Sequence, residues 1–143
     1  MTTATPHLNV EVLHRYLRDT RRHGARAVQL VWYVPHLVDM LFPPAQYPDL
    51  GRDERAVETQ KLIQRGIDII GGHKGHALTI VLGLAPATSE TTLTERRTKA
   101  ASYLGIQLVT WMKRKHEARL MHGLAIEVFQ IHQDPTTPES DAA

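Results

Sequence analysis

The residues with chemical potential crowd into one stretch. Residues 92–120 carry seven Lys/Arg against only Glu95 and Glu117, a local charge of +5 in a chain whose net charge is +2. Residues 121–143 carry four acids and no Lys or Arg. A concentration of this kind creates a positive potential that the net charge conceals. Arg96, Arg97 and Lys99 precede Gly105, while Lys113, Arg114 and Lys115 follow it. Cations on two short segments joined by a turn can meet phosphate oxygens together. Gln107 and Lys113 are the side chains there best suited to base edges.

Other chemistries find little support. There is no cysteine, hence no disulfide framework, thiol nucleophile or thiolate metal site. His73 and His76 have a spacing that can bring imidazoles together, but Asp68 is the one acid nearby in sequence, so a third metal ligand is lacking. Ser89, Ser102 and Ser140 stand outside any nucleophile elbow. Gly71-Gly72-His73-Lys74-Gly75 follows a helical pattern rather than a strand and lacks the Gly-Lys-Ser/Thr ending of a phosphate loop. No enzymatic activity, metal or cofactor is expected.

The elements that must position these residues read as helices. Val10, Leu13 and Leu17 form an apolar stripe over residues 9–23, with Asn9 as N-cap and Gly24 as stop. Residues 25–42 are strongly apolar and predict a second helix filling the core centre, which Pro35 either kinks or follows with a short new helix. The β-branched and aromatic content of residues 28–34 also admits a strand. After a proline-rich loop at 43–52, Asp53 caps a third helix to about Ile70, where Gly71-Gly72 breaks it. A short fourth helix covers residues 74–84. Thr92 and Glu95 fit a capping box opening a fifth helix to Leu104. A long sixth helix is expected over 108–132, before a tail at 135–143 expected to be disordered. The fold class is therefore all-α: one domain over 1–134, a compact bundle of five or six helices. Its 8–84 part supplies the N-terminal helices and its 92–132 part a helix-turn-helix-like half. In that half Ala101 is the small residue at the crossing, Gly105 the turn residue, Ala100, Leu104 and Ile106 point inward, and Trp111 is the buried anchor.

Leu82-Gly83-Leu84, a short polar loop, Thr92-Leu93-Thr94-Glu95, Ala101-Ser102-Tyr103-Leu104-Gly105-Ile106 and His116-Glu117-Ala118-Arg119-Leu120 together resemble the DNA-binding region 4 of bacterial sigma factors. They are still more similar to a block in actinobacterial proteins of multidomain regulatory or defence systems, where Thr-Leu-Thr-x-Arg-Arg precedes Ala-Ala-x-x-Leu-Gly. The likeness covers residues 78–125, and departs in a longer first helix and a longer interval to Glu117. It implies a helix-turn-helix whose second helix turns Gln107, Leu108, Val109, Met112, Lys113 and His116 to solvent.

Two functions are expected from these readings. One is a non-enzymatic bacterial DNA-binding regulator of transcription that uses Arg96, Arg97, Lys99, Gln107, Lys113, Arg114 and Lys115, and that dimerises to double the site. The alternative is an adaptor or oligomerising component of a signalling or defence system, its protein interface made by Leu108, Val109 and Met112. A small-molecule pocket near Trp32 and Tyr33 is a third possibility. No apolar run approaches the roughly 18–20 residues of a membrane span, and residues 1–6 have neither the charge nor the apolar stretch of a signal peptide. A cytoplasmic location is expected.

Overall fold

The computed structural model describes residues 8–88 and 91–134, so the tail expected at 135–143 lies outside the described residues. Among these residues every regular element is a helix: α1 (Val10–His23), α2 (Ala27–Tyr33), α3 (Pro35–Leu41), α4 (Arg52–Ile70), α5 (Gly72–Val81), α6 (Leu93–Tyr103), α7 (Leu108–Lys113) and α8 (His116–Gln133).

Eight helices replace the expected five or six because two segments divide. The apolar stretch over 25–42 is helical, not a strand, and Pro35 opens α3 as its first residue, where a missing N–H costs nothing. The long sixth helix breaks at Arg114–Lys115, where Lys115 takes a left-handed backbone with φ 55°. At the start of α4 the cap is Gly51 rather than Asp53. The Glu54 carboxylate accepts from the Gly51 N–H at 2.8 Å, and Asp53 sits in the first turn, favourably placed for the helix dipole.

Side chains fix two further helix starts. Asn9 accepts from the Val12 N–H at 2.9 Å and so caps α1. Gln60 of α4 accepts from the Ala27 N–H at 2.7 Å, anchoring the start of α2 on its neighbour.

Two apolar clusters result. The larger joins Leu13 and Leu17 of α1, Leu30 of α2, Leu37 and Leu41 of α3, Ile63 of α4, and Leu124 and Val128 of α8. The smaller gathers Ala77, Ile80 and Val81 of α5, Ala100 and Ala101 of α6, and Trp111 of α7. Leu120 packs against both, so α8 carries the two halves on one rod. Close approach of α5 to α4 requires Gly75, since a Cβ there would stand 2.9 Å from the Ile67 carbonyl oxygen. The segment expected to fill the core centre does so with Leu30 of α2 and Leu37 and Leu41 of α3, while Trp32 is 75% exposed.

Candidate functional site

The α6–α7 corner is built as its residue types require. Thr92 accepts from the Glu95 N–H at 3.1 Å while the Glu95 carboxylate accepts from the Thr92 N–H at 2.8 Å, starting α6. Those bonds lower the Glu95 pKa. α6 ends in a turn over 104–107, where Gly105 adopts φ 76° and the Ile106 N–H returns to the Ala101 carbonyl at 3.0 Å. Ala100, Ala101 and Trp111 are buried, and Leu104 and Ile106 pack against them.

The cations of this corner divide into two groups with different roles. Arg96 is almost completely buried, so the expectation that it meets phosphate is corrected. Its guanidinium donates to the carbonyls of Val81 at 2.9 Å and Thr91 at 2.7 Å, and to those of Arg21 and Arg22. It therefore satisfies carbonyls at the ends of α5 and α1, groups that a helix leaves without internal partners. Burial, with the Arg97 charge beside it, lowers its pKa despite the opposing pull of Glu117.

Arg97 is likewise turned inward rather than offered to a ligand. Its Nε and Nη2 each donate at 2.7 Å to Glu117, a bidentate pair, and these bonds raise the arginine's pKa. The buried Glu117 also accepts from Arg21 of α1 and, at 3.2 Å, from the Trp111 indole N–H. Burial alone would raise the Glu117 pKa. The hydrogen bonds from Arg97 and Trp111 and the charges of Arg21 and Arg97 outweigh it, and the carboxyl is held below its ordinary range.

Lys99, Lys113, Arg114 and Lys115 form the second group, all exposed, and the neutral Gln107 is exposed as well. Gln107 is the N-cap residue of α7. Leu108 is half-buried against the smaller cluster, whereas Val109 and Met112 are 54% and 51% exposed. Beneath them Trp111 is fully buried, so the outward apolar face rests on a fixed base. His73 and His76 gather on Tyr103: Nδ1 of the first lies 3.3 Å from the phenol oxygen, and the second stacks on the ring at 4.1 Å.

Sequence reasoning missed Arg21 and Glu117 as partners of the basic segment. A signal was present. Of the two acids among residues 92–120, Glu95 belongs to the capping box, which leaves Glu117 to answer the cations around it. No family model, curated protein or solved structure matches this chain, and the likeness to helix-turn-helix domains rests on the residues quoted above alone.

Proposed function

We propose that this chain is a non-catalytic, helical protein-interaction module, an adaptor in a bacterial signalling or defence system, which docks a partner on α7. The observation that carries this reading is the half-exposure of Val109 and Met112 on a short helix pinned by buried Trp111. Lys113, Arg114 and Lys115 lie beside this face, so the fitting partner offers an apolar patch edged by carboxylates. Pairing two copies through α7 would bring their cations together, which favours a different, acidic partner over self-association. A photo-crosslinking residue at Val109 in cells tests it. A discrete protein adduct that Met112→Glu abolishes is the expected result; adducts to nucleic acid alone, or none, would overturn it.

DNA binding is kept as a second reading because Lys99, Gln107, Lys113, Arg114 and Lys115 are all exposed. It requires affinity for random duplex DNA that falls by roughly 0.9 log units per log of salt for each phosphate neutralised. Replacing Lys113, Arg114 and Lys115 together with Gln would then flatten that slope.

A further inference from the structure

The α2 surface is the other large apolar exposure. Trp32 is 75% exposed, Val28 62% and Tyr33 56%. Trp32 and Val28 border two depressions. One, of about 460 Å³, is otherwise lined by Ala27, Val31, Val57 and Asp53. The other, of about 390 Å³, is shared with Arg22, His23, Gln29 and Tyr33. The His23 ring stacks on Tyr33 at 3.6 Å and 11°, which holds the phenol in place. A cleft continuing from Arg22 and His23 reaches Arg18, Asp19 and Arg21 along α1. Arg21 is engaged by Glu117, while Arg18 and Arg22 are exposed.

We propose that this surface is a second binding site, for a peptide segment of a partner protein that sets an apolar side chain next to carboxylates. The apolar side chain enters the Val31–Val57 depression against one side of Trp32. The carboxylates lie on the other side, toward Arg22 and Arg18. Exposed Trp and Arg are the side chains that most often dominate such contacts, and here they adjoin. Charge complementarity with Arg18 and Arg22 fits an acidic segment. The apolar depression lined by Ala27, Val31 and Val57 takes an apolar side chain and offers nothing to base edges, which favours a peptide over a nucleic acid. The site shares no residue with the α7 surface and does not rest on it.

Selection of short random peptides on the full chain tests the proposal. Enriched peptides should pair an apolar residue with Asp or Glu and change the emission of exposed Trp32, with buried Trp111 as the constant background. Affinity should fall at least about tenfold in Trp32→Ala and in Arg22→Glu. Circular dichroism checks that each variant folds, and Val57→Asp, which fills the apolar depression with charge, serves if Trp32→Ala does not. The proposal is overturned by enrichment of basic peptides, by no enrichment, or by binding that survives these substitutions. Loss in Met112→Glu instead would assign the peptides to α7. A dimer dissolved by Trp32→Ala, or oligothymidylate bound with the same Trp32 dependence, would equally replace the peptide by another occupant.

Discussion

Arg97 of α6 and Glu117 of α8 face each other through two parallel hydrogen bonds of 2.7 Å. The Oε1 atom that receives Arg97 Nε also receives the Trp111 indole N–H from α7, and Arg21 reaches the other oxygen from α1. One carboxylate thus orients four helices. Charge that reads in the sequence as an outward basic surface is spent in part on internal geometry.

Removing that carboxylate should cost more than a surface ion pair would. Glu117→Ala leaves Arg97 and Arg21 without their anion and the Trp111 N–H without its acceptor. Both arginines retain about a fifth of their side-chain exposure, 19% and 22%, and can turn to water. A loss of about 2–3 kcal/mol is therefore expected, somewhat below the full penalty for breaking a buried pair. Urea unfolding of Glu117→Ala, Arg97→Ala and the double variant should give a coupling of about 1–3 kcal/mol. Independent, additive losses would show that the pair does not act as a unit.

The same carboxylate makes stability depend on acid. Its folded pKa lies below the ordinary 4.5, so the unfolded chain binds the proton more readily. The stabilisation is whole above 4.5 and is lost as pH falls through the folded pKa. In Glu117→Gln the urea midpoint should start lower at pH 7 and decline less between pH 5 and the onset of acid unfolding. A parallel decline in both proteins would assign the acid sensitivity elsewhere.

How far the sequence discloses this molecule can be judged from particular residues. Asn9, the Thr92–Glu95 box, Gly71 and Gly105 act through bonds and dihedrals close in the chain, and each terminates or starts a helix where local chemistry says it should. Trp111 is buried as its spacing from Gly105 implies. The fate of Arg96 and Arg97 depends on carbonyls of α1 and on Glu117, partners brought near only by folding. Trp32 is similar: an apolar run implies burial, yet α2 turns Leu30 inward, with Ala27 and Val31 partly buried beside it, and leaves Trp32 exposed. The break at Lys115 had no turn-forming residue to announce it.

Arg96 supplies a test that separates charge from shape. Its fork bridges carbonyls on both sides, and an ammonium at the same place keeps the charge but not the planar donor set. Arg96→Lys should therefore destabilise nearly as much as Arg96→Ala, by about 2–3 kcal/mol, since buried carbonyls lose their donors in both. Full rescue by lysine in thermal unfolding would mean that charge alone matters there.

His14 gives a second and milder pH window. Its Nε2 is buried without a hydrogen-bond partner, and its ring meets His122 of α8 edge-on at 5.4 Å. Burial, then His122, Arg18 and Arg21, all disfavour the imidazolium, lowering its pKa from 6.5. A depressed histidine contributes stability above 6.5 that is lost as pH falls through the folded pKa. His14→Leu removes the orphaned nitrogen and the titration together. The variant should hold its urea midpoint from pH 7.5 to 5.5 while the parent's falls, and an equal fall in both would exclude this histidine as the source.

Lys115 and Gly105 occupy the same left-handed region, at φ 55° and 76°, at the two ends of α7. Only one of them is the residue type that tolerates it. A left-handed backbone costs a side-chain-bearing residue about 1–2 kcal/mol, part of which glycine returns through the extra freedom of the unfolded chain. Lys115→Gly should thus stabilise by about 0.5 kcal/mol, and Gly105→Ala, with no neighbour close enough for a steric clash, should destabilise by about 1 kcal/mol. Thermal unfolding of both variants reads the two signs directly. If α7 and α8 formed one continuous helix in solution, Lys115 would sit in its interior and Lys115→Gly would instead destabilise by about 1 kcal/mol. The sign of that single change therefore decides whether α7 is a separate helix able to present Val109 and Met112 as a distinct face.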